Sequence, residues 1–198
     1  MDRMQIRSAL AHVGQALREP EAFAADWNEG RVRYRLAVWG ALLVTAVLGT
    51  TTYGMTMGLL GGGTGVLVKG AALTLAAGLA WAIPLPALYI LNSLSGSRLP
   101  ASSTLLAALV TVSWGGLAMI ASIPVNWFFT VAVPHPGFVL LVNLVVFTGV
   151  GVAMIDVFRR VMRRLEPRHV TPTWWLLLVA VIGTEFFYCF GLFTFAAP

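Results

Sequence analysis

The sequence predicts an all-α integral membrane protein: five transmembrane helices preceded by an amphipathic interfacial N-terminal helix, with the N-terminus cytoplasmic. Three observations predict it. Of 198 residues, 58% are hydrophobic and only 11% charged, against about 25% charged in a typical soluble domain. The apolar residues fall in charge-free stretches long enough to cross hydrocarbon about 30 Å thick, which takes roughly 20 residues of helix. Nearly all the basic residues then fall on one side of a five-span path. This composition excludes an ordinary water-soluble enzyme, and it holds too much apolar surface for a disordered chain.

Residues 1–35 read as a cytoplasmic or interfacial arm. Ile6, Leu10, Val13 and Leu17 recur at helical spacing opposite Arg3, Arg7 and Gln15, the pattern of an amphipathic helix lying in the membrane interface or docking a partner. A second short helix is expected from Pro20, a favoured first-turn residue, with Phe23 and Trp27 one turn apart. The arm is not expected to be a cleavable signal, because it lacks an apolar core followed by a small-residue cleavage site.

Residues 36–198 read as the transmembrane domain. Span one runs from Leu36 to about Leu60 and ends in Gly61, Gly62, Gly63 and Gly65, read as a helix-breaking turn. Span two runs from Gly70 to about Leu94 and stops at the turn Ser95 to Pro100. No Asp, Glu, Lys or Arg occurs from Leu99 to Ile155, and Pro134-His135-Pro136-Gly137 divides that run into spans of about 103–132 and 137–158. Span five covers about Thr173 to Phe195.

With the N-terminus inside, the cytoplasmic segments hold 12 of the 13 basic residues and leave only Lys69 outside. That is the positive-inside pattern. The net charge of +5 therefore reads as orientation, and no nucleic acid partner is expected. The expected partners are the lipid bilayer and anionic lipids at its cytoplasmic face. Arg31, Arg33 and Arg35 before span one, and Arg159, Arg160, Arg163 and Arg164 after span four, are placed to meet headgroups.

Glu185 is the one charge that topology leaves unexplained, about twelve residues into span five. A carboxylate at mid-membrane costs roughly 2.5 to 3.5 kcal/mol on insertion scales and usually marks function. Trp81 and Trp114 sit at similar depth, whereas Trp39, Trp127, Trp174 and Trp175 fit aromatic belts. Three readings of Glu185 stay open: a neutral staple bonded to Trp81 or Trp114, a proton or solute path, and a contact with a partner. A bound lipid or pigment at the mid-membrane tryptophans is a further possibility.

Pro84, Pro86 and Pro124 are expected to kink spans two and three, and Asn126 and Asn143 near the outer ends of spans three and four are candidates for a polar site there. Asp156 is placed to pair with an arginine one turn on. Gly54, Gly58 and Gly62, spaced by four, form a smooth face for helix packing within the bundle or against another subunit.

Searches for catalytic patterns find none. His12, His135 and His169 have no partners at metal-ligand spacing, Cys189 is the only cysteine, and the glycine cluster lacks the Lys-Ser/Thr of a phosphate loop. Neither cofactor nor metal is expected, nor enzymatic activity.

The layout resembles the bacterial branch of the Ypt-interacting-protein (YIP) family of five-span membrane proteins. The resemblance rests on Pro20-Glu21-Ala22-Phe23 in the arm, Pro84-Leu85-Pro86-Ala87-Leu88-Tyr89 in span two and Ser122-Ile123-Pro124 in span three. The Asp-Leu-Tyr-Gly-Pro type motif of eukaryotic members is absent. The resemblance implies a non-enzymatic scaffold or accessory subunit of a bacterial inner membrane, with other membrane-protein subunits or a second copy as partner. The alternative expectation is a small transporter or proton-conducting subunit centred on Glu185.

Overall fold

A computed structural model describes residues 3–32, 35–169 and 173–194. Among them the secondary structure is helical throughout, without strands. The arm forms α1 (Arg3–Arg18) and α2 (Pro20–Asn28); the remainder forms α3 (Arg35–Met57), α4 (Gly62–Ala82), α5 (Leu85–Leu94), α6 (Ala101–Ala132), α7 (Pro136–Leu165) and α8 (Leu176–Cys189). Four segments are long and apolar enough to cross a membrane: α3, the continuous stretch Leu59–Leu94 that contains α4 and α5, α6, and α7. The 14 residues of α8 rise only about 21 Å. A 3₁₀ turn over Thr173–Trp175 precedes α8, and residues 195–198 lie outside those described.

The fifth expected span, about 173–195, is α-helical only over Leu176–Cys189, and the boundaries depart from expectation in two further places. The glycine cluster is not a long loop, because Gly62 alone turns the chain. It adopts φ +72°, a conformation that costs glycine nothing, and α4 starts there after the short 3₁₀ turn Leu59–Gly61. Gly62 therefore lies at the turn, and of the three glycines spaced by four Gly54 packs from α3 and Gly58 from just past its end. At the other boundary, α7 runs seven residues past its expected end at 158. Val157, Phe158, Val161, Met162 and Leu165 are buried in the core and α2 packs on α7, so this last stretch gains tertiary partners. Arg159, Arg160, Arg163 and Arg164 are thus helical residues rather than loop residues.

The arm folds back onto the bundle: α1 packs on α3, and α2 packs on α7 and α1. Phe23 and Ala24 are fully buried and Trp27 nearly so. Leu10, expected on the apolar face of α1, is instead 60% exposed; the side chains of Arg3, Ile6 and Arg7 lie outside those described. Arg160 bonds both Asp156, four residues back, and Glu21 of α2, each at 2.8 Å. A half-exposed ion pair is worth about 0–1 kcal/mol, whereas burying a Phe or comparable side chain is worth roughly 1.5–3 kcal/mol. Packing therefore holds the arm, and the ion pair sets its register. Glu21→Ala is expected to lower stability by less than about 1 kcal/mol, read as a small shift in thermal unfolding midpoint.

The four long apolar helices and the shorter α8 form an arc in the order α7, α6, α3, α4, α8, each packed on the next. Close approach is possible because glycines meet backbone. A methyl on Gly54 would lie 2.7 Å from the Lys69 carbonyl oxygen, one on Gly58 would overlap Gly65, and one on Gly49 would overlap the Gly116 carbonyl. The first contact joins α3 to α4, the second joins the residue just past α3 to α4, and the third joins α3 to α6. Every described arginine lies toward one end of the arc, alongside the arm, the α5–α6 loop and the close of α7. Lys69 lies in the other half. Its ammonium donates to the carbonyls of Gly191 and Thr194, in the turn that ends α8 at Gly191, where φ is +64°. A cation at a helix C-terminus is favoured by the dipole.

Candidate functional site

The two ends of the arc, α7 and α8, leave a lateral cleft of about 420 Å³ between α4, α6, α7 and α8. Small residues hollow it out: Ala77 and Ala80 on α4, Gly115 and Gly116 on α6, Gly151 on α7 and Gly183 on α8. Aromatic pairs bound it. Phe147 packs edge-on against Tyr53 and Phe187, at 5.8 and 5.0 Å, toward one end, and Trp81 lies 6.2 Å from Phe158 toward the arginine end. Thr50, Thr148 and Thr184 are the hydroxyl-bearing residues in a lining that contains no ionisable side chain. Such a cleft accepts an apolar chain and disfavours ions.

Two residues flagged in the sequence meet inside the bundle. The Asn143 amide donates to Asn126 Oδ1 at 3.1 Å and to the Val139 carbonyl at 2.8 Å, while its own Oδ1 accepts from the Tyr53 hydroxyl at 2.9 Å. Asn126 donates to Thr56 Oγ1 at 2.8 Å, and Thr56 donates to the Tyr53 carbonyl at 2.6 Å. The result is a closed network joining α3, α6 and α7, with Tyr53, Asn126 and Asn143 each at most 1% exposed. Because its members satisfy one another, the network fastens the bundle and leaves no open polar path. Asn126 and Asn143, the candidates for a polar site, thus bond each other within the packed bundle. Pro84 separates α4 from α5, and Pro124 lies within α6.

Glu185 is on the opposite kind of surface. A methyl on the neighbouring Gly183 would meet Ala80 Cβ at 3.3 Å, and Ala80 is near the middle of Leu59–Leu94, so Glu185 lies level with the middle of that segment. Its side chain is exposed. Among the described residues it makes no hydrogen bond or ion pair, and none joins it to Trp81 or Trp114. The staple reading is therefore corrected: the azimuth of α8 turns Glu185 outward, with Val181 at 60% and Tyr188 at 75% exposure on the same face. Trp81 instead lines the cleft, and Trp114 is half-buried against the core at the arginine end.

The arginines divide into engaged and open groups. Arg31 pairs with Asp26 and Glu29, and Arg35 lies 4.7 Å over the Trp27 ring and donates to the Trp27 carbonyl. Asp26 also accepts from Gln15 at 2.7 Å; the Gln15 and then the Arg31 hydrogen bonds hold its carboxyl below the ordinary value. Arg159, Arg163 and Arg164 are exposed on α7, and Arg33 lies outside the described residues. Exposed guanidinium groups of this kind are suited to phosphate.

Beside them, Glu166 clasps the α5–α6 loop, accepting from Ser97 Oγ at 2.6 Å and the Arg98 amide at 2.9 Å. Partial burial opposes its ionisation, but the bonds from Arg98 and Ser97 prevail and its pKa is lowered. The clasp thus adds stability above the ordinary Glu value and loses it as pH falls through the lowered one. A spin-label distance across the loop is expected to stay constant through neutrality and the ordinary carboxylate range and to widen only as pH falls through the lowered Glu166 value. His169 Nε2 lies 3.1 Å from Ser95 Oγ, but Ser95 donates to the Asn92 carbonyl and Glu166 is occupied elsewhere, so no third group orients the pair as nucleophilic catalysis requires. Among the described residues no cluster of three or more His, Cys, Asp or Glu could hold a metal.

Comparisons with protein-family profiles, with curated proteins and with solved structures return no match for this chain. Sequence reasoning missed Tyr53 and Thr56, which complete the asparagine network, and the Gly49–Gly116 contact. A tyrosine and three consecutive threonines near Gly54 in an apolar span were the available signal.

Proposed function

We propose that this protein is a non-enzymatic scaffold or accessory subunit of a bacterial inner membrane, YIP-like, with five spans and a cytoplasmic N-terminus. It docks another membrane-protein subunit, or a second copy of itself, along the outer face of α8. Glu185 carries this reading. An unpartnered carboxylate facing lipid at mid-span costs roughly 2.5–3.5 kcal/mol, a cost that a neighbouring chain offering a donor relieves. Val181, Glu185 and Tyr188 follow at i, i+4 and i+7, the spacing of a recognition stripe on one helix face. The one-sided arginines support the orientation, and the open Arg159, Arg163 and Arg164 support contact with anionic headgroups.

Glu185→Leu tests the reading. Loss of a higher-order assembly in mild detergent, with the protomer still folded, is the expected outcome. An unchanged assembly would contradict it. Preserved assembly combined with lost ion or solute flux in Glu185→Gln would support the conducting subunit instead.

A further inference from the structure

Beyond the lateral cleft the bundle holds a second, much smaller cavity at the arginine end. It is lined by Leu88 and Asn92 of α5, Thr104 of α6, Phe158 and Met162 of α7, Trp175 and Leu176. All seven are at most 5% exposed, and four are apolar walls. The other three each bring a polar atom without a hydrogen-bond partner: Asn92 Oδ1, Thr104 Oγ1 and Trp175 Nε1. Leaving a buried polar group unmade costs about 1–3 kcal/mol. Three such groups converging on one cavity therefore point to a shared ligand rather than to three separate defects.

We propose that this cavity is a binding site for one water molecule that ties the start of α8 to α5 and α6. Its volume, about 10 Å³, is close to the roughly 10–15 Å³ that a single water requires, with two to four polar partners. The donor and acceptor pattern matches: the Trp175 indole N–H donates to the water, the water donates to Asn92 Oδ1, and the Thr104 hydroxyl takes either role. Any organic ligand or hydrated ion is too large. The site matters for the cleft because Leu176 is a wall of both spaces. The bound water thus anchors the arginine end of α8, where the helix otherwise rests mainly on α4.

The test uses full-length protein in nanodiscs with ¹⁵N-labelled tryptophan indoles. The Trp175 resonance is identified by its disappearance in Trp175→Phe. Cross-relaxation between that indole proton and a long-lived water is expected in the unmodified protein and in Thr104→Ser. In Thr104→Val it is expected to fall about tenfold, the factor that roughly 1.4 kcal/mol supplies. Asn92→Leu, which fills space and removes the acceptor, is expected to abolish it. Absence of a water signal at Trp175 in the unmodified protein overturns the proposal. So does a signal that persists undiminished in both Thr104→Val and Asn92→Leu.

Discussion

Replacing Gly49 with leucine is expected to prevent the bundle from assembling. At this crossing α3 and α6 meet backbone to backbone, and even a methyl group would overlap the Gly116 carbonyl. Backbone inside a 32-residue helix cannot step aside as a flexible side chain can, so relief requires the helices to separate. Over-packing a tight core ordinarily costs about 1–3 kcal/mol. Gly49→Ala is expected at the upper end of that range, and Gly49→Leu to leave no monodisperse protein on size exclusion. Gly40, exposed and with nothing within 4 Å, is the control: Gly40→Ala is expected to be neutral or to gain up to about 1 kcal/mol from helix propensity.

Asn143→Leu is expected to have the next largest effect, because it strands two partners at once. The Tyr53 hydroxyl and Asn126 Oδ1 both lose their bonds while remaining buried. Single hydrogen bonds between membrane helices average only about 0.6 kcal/mol, so deletion of paired groups would barely register. Stranding is different, at about 1–3 kcal/mol per unsatisfied group, and with two groups stranded Asn143→Leu is expected to cost about 2–6 kcal/mol. The triple variant Tyr53→Phe, Asn126→Leu, Asn143→Leu is expected to recover much of that loss. Unfolding titrations of the single and triple variants read the difference; equal losses would refute the closed network.

Much of this was legible in the sequence, for physical reasons that can be named. Charge-free runs of about 20 or more residues locate spanning helices whatever their neighbours, so α3, α6 and α7 emerged near their true starts. Asn126 and Asn143 stood out because an amide in an apolar run must find a partner. Depth along a helix can be counted from sequence, which is how Glu185 was picked out. Its direction could not be, since α8 is otherwise apolar nearly all the way round and offers little to orient it. The extension of α7 through Leu165 goes with packing against α2, more than a hundred residues away in sequence. The glycine cluster hid the start of α4 because composition marks where a turn is allowed, whereas only Gly62 makes it.

The most direct measurement of the central claim is photocrosslinking in native membranes from positions 181 and 188 on the outward face of α8, with position 43 on the exposed face of α3 as control. A discrete protein adduct is predicted from positions 181 and 188, absent from position 43 and lost in Glu185→Leu. Lipid adducts alone at all three positions would contradict a docking role for α8.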